Sequence, residues 1–519
     1  MTIQELVQLY AMAPQVGALK EKIEEKSVKT IFLESLVASS APMLFASLSS
    51  LTANLPLPFR GGVGGEALLF ILSDEEEAGY FYHDLKQMLG QDKVLFFPSS
   101  YRRSIKYAQR DPANEILRTE VLTKLSTFNF QLSTFNYIVT YPSALAEQVV
   151  SQEQLNERTL VLEQGQTVSV EEVTTTLHDY GFQEVDYVYE PGQFALRGSI
   201  LDVYSFSSEY PFRIDFFGDD IDSIRTFEVE DQLSRDRQSQ ISIVPELSKD
   251  EGQRTKDEGQ FSIFNFQFSI FNYLPEGTLV VAKDLQYVHD TIDRTYQETG
   301  DTVPLIDGNQ FMEAIASYKK IEFGHRPMEK PDATLTFHTT LQPLFHKNFD
   351  LLRESFADFQ SKGYHLYVLA DSKKQLQRLE EILSENSENS ENSEHSENST
   401  LNFKLSTINY ITTALHAGFV DHDLQLCVFT DHEIFDRFHK YTLRSDKARS
   451  GKVALTLKEI RQFEVGDYVV HVDHGIGKFG GLVRMPITLS TQSSQSTPSS
   501  PSSPSSPTDS LKTENNETK

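Results

Sequence analysis

The chain has 519 residues, 47 Lys and Arg against 75 Asp and Glu, a formal net charge of −28 and a single cysteine. That length suits about three or four domains with real cores. The charge repels nucleic acid from the chain as a whole, so any DNA contact is local or supplied by other sequence. Cys427 alone excludes an internal disulfide framework and fits a reducing compartment; within the apolar run LQLCVFT it reads as core filler, not a nucleophile. No stretch approaches the roughly 18 apolar residues of a spanning helix. The start, MTIQELVQLYAMAPQVGALKEK, has neither the basic lead nor the unbroken apolar run of a leader peptide, so a cytoplasmic location without membrane contact is expected.

Residues 1 to about 148 alternate between helical and strand patterns. Ile3 to Tyr10 and the 18–29 region read helical, and Thr30 to Leu33 reads as a strand. Ala67 to Leu72 is a buried strand followed by the acidic helix start Ser73-Asp74-Glu75-Glu76. Val94 to Phe97 is a strand stopped by Pro98, a helix covers Ala113 to Lys124, and Tyr137 to Thr140 is a strand. Such alternation means an α/β layer with a parallel sheet. A nucleotide-binding version would follow its first strand with GxxxxGK[ST]. Here the turn is Leu36-Val37-Ala38-Ser39-Ser40-Ala41-Pro42, without the glycines that let amides reach phosphate or the Lys that meets its charge. RGGVGGEA (60–67) precedes a strand instead of following one and lacks Lys, so it reads as a loop. Arg102, Arg103, Lys106 and Arg110 form a basic cluster. It reads as a solvated loop facing the acidic remainder ahead of a nucleic-acid contact.

The run ERTLVLEQGQTVSVEEVTTTLHDYGF (157–182) reads strand, turn, helix, and leads into YVYEPGQFALRGSILDVYSFSSEYPFRIDFFGDDIDSIRTFEVED (187–231). In that second stretch Phe194 to Tyr204, Phe212 to Phe217 and Ile221 to Val229 read as strands. Pro191-Gly192, Ser207-Ser208-Glu209 and Gly218-Asp219-Asp220 are the turns of an antiparallel meander. The pleat puts Phe212, Ile214 and Phe216 on one face and Arg213, Asp215 and Phe217 on the other. The first face serves a core. The second either sets an aromatic beside an Arg in water, a pairing enriched at binding hot spots, or is bland, with Arg213 paired to Asp215 and Phe217 packed under the turn.

The stretch EPGQFALRGSILDVYSFSSEYPFRIDFFGDDIDSIRTFEVEDQLS closely resembles the module shared by the excinuclease component UvrB and the transcription-repair coupling factors, and the ending IRTFEVEDQLS is similar to the latter family. PSSYRRSIKYAQRDPANEILRTEVLTKL (98–125) looks like the same family. The resemblance implies docking of UvrA, the damage-recognition component of nucleotide excision repair, with the contact positions falling on Arg197, Arg213 and Phe217. It also implies a first domain whose phosphate loop has degenerated, in agreement with residues 36–42, whereas UvrB keeps a working loop. Finally, it implies that the segment after the module completes the first sheet, and that a C-terminal region of the full-length family covers the UvrA surface. Without that region this chain is expected to bind UvrA constitutively.

From 236 to about 345 the pattern returns to mixed α/β, with GTLVVAK (277–283) as a strand. Residues 346–445 form another α/β unit. Phe349 to Lys362 and Ser372 to Leu383 are its helices, and Leu366 to Ala370, Tyr410 to Thr412 and Leu426 to Phe429 its strands; nothing in it names a chemistry. DRFHKYTLRSDKARSGK (436–452) is a basic linker candidate. Then FEVGDYVVHVDHGIGKFGGLVRM (463–485) resembles the opening of the RNA polymerase-interacting module that coupling factors share with CarD-type regulators. Tyr468 to Val472 reads as a strand, His474 to Gly477 as a tight turn into Lys478 to Val483, and the small barrel is expected to be cut short, with the polymerase contact weak or lost. His471, Asp473 and His474 suggest a metal site only weakly, because adjacent positions on a strand point to opposite faces.

Two aromatic segments, 125–138 and 261–274, each duplicate a unit of the LSTFNFQ type, and 401–411 is a related piece; all three read as inserts, aggregation-prone if exposed. SENSENSENSEHSENS (384–399) and the Ser/Pro tail from about 488 read as disordered.

The expected organisation is therefore α/β multidomain. A degenerate P-loop-like parallel layer occupies 1–148 and 236–345, with a β-rich docking module, 149–235, inserted between its two parts. A third α/β domain covers 346–445, a basic linker 446–462, a truncated CarD-like barrel 463–487 and a tail 488–519. The expected function is a scaffold that brings UvrA to stalled RNA polymerase. No catalytic residue, metal or cofactor is assigned; the ATP and Mg of the family, and most of its DNA contact, belong to a translocase motor expected beyond residue 519. The competing readings are a UvrB-like ATP-dependent helicase relative and a gene fragment without function.

Overall fold

A computed structural model describes residues 1–52, 67–90, 93–101, 111–126, 136–247, 267–299, 303–384, 407–437, 466, 468–471, 475–478 and 480. They fall in two units, Met1–Ala454 and Leu455–Lys519.

The first unit opens with α1 (Ile3–Ala11), started by a capping box in which Thr2 Oγ1 accepts from the Glu5 amide and Glu5 from the Thr2 amide. Helix α2 (Pro14–Glu24) follows, with proline in its first turn. The sequence pattern carries this helix on to Lys29, but it ends at Glu24. The Lys319 ammonium, far along the chain, donates to the carbonyls of Lys22, Ile23 and Glu25 at 3.3, 2.6 and 2.8 Å and closes the helix there. Then come β1 (Thr30–Glu34), α3 (Ser40–Thr52), β2 (Ala67–Ile71), α4 (Glu75–Leu89), β3 (Val94–Phe97), α5 (Pro112–Ser126), β4 (Asn136–Thr140), α6 (Pro142–Ala146) and α7 (Gln152–Glu157). Asp74 caps α4 by accepting from the Glu77 amide at 2.9 Å, and three glutamates in the first turn meet the positive end of the helix dipole.

The next elements are β5 (Leu160–Glu163), α8 (Val170–Asp179), β6 (Gln183–Glu184), β7 (Gln193–Arg197), β8 (Ile200–Val203), β9 (Phe212–Phe217), β10 (Asp220–Phe227), β11 (Ser234–Gln238) and β12 (Gln240–Ile243). After these, β13 (Leu279–Lys283), α9 (Leu285–Thr299), α10 (Gly308–Ile315), β14 (Lys319–Gly324) and β15 (Ala333–Thr336) lead to β16 (Thr339–Leu341). The unit closes with α11 (Phe349–Ser361), β17 (His365–Leu369), α12 (Lys373–Ser384), β18 (Ile408–Ile411), β19 (Phe419–Asp421), β20 (Leu426–Thr430) and α13 (Asp431–Ile434).

Seven strands form one parallel sheet in the order β15-β1-β14-β13-β2-β4-β3. ALLFI of β2 and VLFF of β3 are buried throughout, the unbroken apolar signature of strands covered on both faces. Strand β13 lies between β2 and β14, so chain from after residue 278 completes a sheet begun by β1 and β2. Between these halves, β11-β10-β9-β8-β7-β6 make a second sheet, antiparallel except for β6 with β7. It has its own core, in which Phe194, Leu201, Phe212, Ile214 and Ile224 pack on Val173 and Leu177 of α8. Strands β5 and β12 pair beside it. A mixed sheet, β16-β19-β20-β17-β18, carries Cys427, a buried free thiol whose pKa is pushed up by that burial. Phe419, Leu426 and Val428 of this sheet share the first layer's core, and Tyr10 Oη of α1 donates to Asp421 at 2.8 Å.

In the second unit β21 (Tyr468–His471) and β22 (Gly475–Lys478) pair antiparallel, His471 opposite Gly475. The expected tight turn at 474–477 is thus displaced: Gly475 to Lys478 are strand. Among the described residues no barrel is closed. The RGGVGGEA loop up to Glu66, the 102–110 basic cluster, the linker 446–462, Asp473 and His474, the 384–399 repeat beyond Ser384, most of the aromatic inserts and the tail lie outside the described residues. Among the described residues no group of side chains is placed to hold a metal ion, and no helix is long and apolar enough to cross a membrane.

Candidate docking site

The second sheet is built by turns that its glycines permit. Phe194 to Tyr204 reads as one strand in sequence, yet the chain reverses at Gly198-Ser199. Gly198 adopts φ 64°, and β7 folds back on β8 with Arg197 opposite Ile200. Gly218, at φ 66°, makes the same reversal between β9 and β10. Alternation then sorts the side chains. Phe212, Ile214 and Phe216 go into the core, Arg213 and Asp215 are half-buried, and Phe217 is 82% exposed.

The outer face has a charged centre. The Asp202 side chain is fully buried on β8, directly opposite Arg213. Its Oδ1 accepts from Arg213 Nε at 2.8 Å and its Oδ2 from Arg213 Nη2 at 2.9 Å, a bidentate pair. Arg197 Nη2 donates to the same Oδ2, so Arg197 and Arg213 share one carboxylate on one side of the ribbon. Arg213 Nη1 reaches the Gln232 carbonyl at 3.0 Å, and Arg197 Nη1 reaches that of Asp186 at 3.0 Å. Each guanidinium also covers a ring, Arg213 that of Phe227 at 4.4 Å and Arg197 that of Tyr187 at 5.0 Å. The hydrogen bonds that Arg213 donates to Asp202 raise the Arg213 pKa further, so the charge is permanent.

The pairing and the exposure differ from those of the bland alternative. Arg213 pairs with Asp202, while Asp215 is taken by Arg225 and by Ser223 Oγ at 2.9 Å. Phe217 has no cover. A benzyl ring left in water forgoes about 1.5–3 kcal/mol of burial free energy, and by the alternation of β9 it shares a face with Arg213, the composition of an interface anchor. What sequence reasoning missed was Asp202. Its signal was present: in ILDV a carboxylate between two apolar residues faces away from the core, next to arginines on both neighbouring strands.

The first layer's loop, residues 35–39, is sealed by the chain itself. Ser40 Oγ and Thr339 Oγ1 each accept from the Val37 amide, at 3.0 and 3.2 Å, and Thr339 Oγ1 donates to the Ser35 carbonyl at 2.6 Å. Ser39 Oγ donates to Asp84 at 2.6 Å and accepts from the Ala417 amide at 3.1 Å, while the His416 amide donates to Asp84 at 2.7 Å. Burial pushes the Asp84 pKa up to about 7. Val37 N–H, of the kind that would face a phosphate, is thus engaged by hydroxyls, and the 416–417 segment of the third layer rests on Ser39.

Residues 160–248, which hold this ribbon, match the UvrB interaction domain, and residues 463–497 match the CarD-like/TRCF RID domain. Over most of its length the chain is similar to the N-terminal part of transcription-repair-coupling factors. That of Bacillus subtilis (strain 168) is 21% identical over 90% of this chain and 44% of its own length. Those of Staphylococcus aureus (strain bovine RF122 / ET3-1) and Staphylococcus haemolyticus (strain JCSC1435) are 22% identical over 81% of this chain and 40% of their own. The chain spans less than half the length of these curated relatives.

Proposed function

We propose that this chain is a scaffold of transcription-coupled nucleotide excision repair that captures UvrA on the outer face of its antiparallel ribbon, with Arg197, Arg213 and Phe217 as the contact residues. The observation carrying this reading is the joint fixation of Arg197 and Arg213 by Asp202, with an 82% exposed Phe217 on the same face of β9 as Arg213. Preorganised guanidiniums lose little entropy on docking. The match of residues 463–497 supports RNA polymerase as the second partner, held through the CarD-like module. In this reading 1–148 with 236–345 is a UvrB-like domain interrupted by the 149–235 module, 346–445 is a third domain, and the chain works in the cytoplasm.

The helicase-like alternative needs ATP at the loop after β1. The hydrogen bonds from the Val37 amide to Ser40 and Thr339, and from the Ala417 amide to Ser39, favour the scaffold, because a nucleotide there would have to displace them. Calorimetric titration separates the two. The scaffold reading expects UvrA to bind and the Arg213→Ala, Phe217→Ala double variant to lose it, with no ATP heat in either. Micromolar ATP binding, or unchanged UvrA affinity in the double variant, rejects it.

A further inference from the structure

Cross-strand pairing puts three arginines side by side on the outer face: Arg213 of β9 lies opposite Arg225 of β10, and Arg225 lies opposite Arg237 of β11. Like charges directly opposite each other on a sheet destabilise it. The first two are relieved, Arg213 by Asp202 and Arg225 by Asp215. Arg237 is exposed on the edge strand, and among the described residues its side chain makes no ion pair or hydrogen bond. With Arg197, these four arginines have two aspartates among them as ion-pair partners, Asp202 and Asp215, on a chain whose formal total is −28. A protein this acidic has ample carboxylate with which to neutralise Arg237 and does not use it there.

We propose that Arg237 is a further contact residue for the docked protein, receiving a carboxylate from an acidic rim around the pocket that takes Phe217. This rests on the UvrA reading above and extends the contact surface by two strands beyond Arg213. A protein carboxylate fits better than a nucleic-acid backbone. Asp219, Asp220, Asp222, Asp231 and Asp236 stand exposed around the same ribbon and would repel a continuous line of phosphates. The exposed side chains of Phe217 and Leu233 also call for an apolar counterpart. An exposed charge at an edge steers encounter more than it holds the complex.

The test is association kinetics of the full chain with UvrA across a salt series, with duplex DNA as a second ligand. Arg237→Ala is expected to slow association roughly two- to fivefold at low salt. Arg237→Glu slows it more, both flatten the salt dependence, and Arg237→Lys restores it. Relief of the like-charge row leaves the melting midpoint of Arg237→Ala unchanged or raised. If Arg213→Ala with Phe217→Ala abolishes binding while Arg237→Glu associates like the parent, the UvrA reading stands and this inference falls. If the parent does not bind UvrA, both fall. A loss of DNA binding without change toward UvrA overturns it in favour of a phosphate partner. So does a loss in Arg237→Glu that comes only with a lowered melting midpoint.

Discussion

Replacing Asp202 by Asn keeps the shape of the side chain and removes the charge that two arginines share. The Asp202 side chain is fully buried, and those of Arg213 and Arg197 are 16% and 34% exposed. Taking one partner from a buried pair costs about 3–5 kcal/mol when the remaining charge stays dry. Arg197 can turn to water and escape most of that, whereas Arg213 is pinned under the Gln232 carbonyl and over Phe227. The lower end of the range, about 3 kcal/mol, is therefore expected. Hydrogen exchange of peptides covering β8 and β9 is the suitable assay, since it reports this module's opening separately from the other cores. Adding Arg213→Gln removes the stranded charge and should recover more than half of the loss, because the two sites are directly coupled. UvrA affinity should drop at least tenfold in Asp202→Asn, as the guanidiniums are no longer held. Exchange protection within about 0.5 kcal/mol of the parent in the single variant would refute the argument that Asp202 organises the face.

Phe217→Ala alone should change stability by less than about 0.5 kcal/mol, since an exposed ring packs on little, while removing most UvrA binding; a melting shift comparable to that of a core truncation would contradict its exposure. Asp84 gives a pH signature. Its folded pKa of about 7 lies above the 3.8 of an ordinary Asp, so between those values folding takes up a proton and stability falls as pH rises, levelling above about 7. The slope is at most about 1.4 kcal/mol per pH unit, and Asp84→Asn should flatten it in urea titrations at pH 5 to 8; an equal slope in both proteins removes Asp84 as the cause. Arg118 and Glu147, both nearly fully buried and 3.5 Å apart, close the chain after β3, with Arg118 Nη1 on the Pro98 carbonyl at 2.8 Å. Arg118→Ala should cost about 3–5 kcal/mol, read as a lowered melting midpoint, and a shift below about 1 kcal/mol would mean the pair behaves as a surface contact.

The sequence displayed the parallel layer because its strands are apolar on both faces, and it displayed the ribbon because alternation in FRIDFF has only one reading. Two kinds of feature stayed hidden. One is set by distant partners: α2 stops at Glu24 because of Lys319, and Asp84 is buried against His416, hundreds of residues away. The other is set by pairing register, which alone reveals that Arg213, Arg225 and Arg237 are neighbours and that Asp202, not Asp215, takes Arg213. Strand β11 escaped notice since SRDRQ carries the charges of a protected edge and no apolar alternation. Residues 474–477 read as a tight turn into a strand at Lys478, yet Gly475 to Lys478 pair as β22.

The most direct test places a photo-crosslinker at position 217 and, in a second protein, at Glu171, which is exposed on α8 behind the ribbon. With UvrA present, the account predicts efficient crosslinking from 217 and none above background from 171. Equal yields from both, or a yield only from 171, would contradict docking on the arginine face.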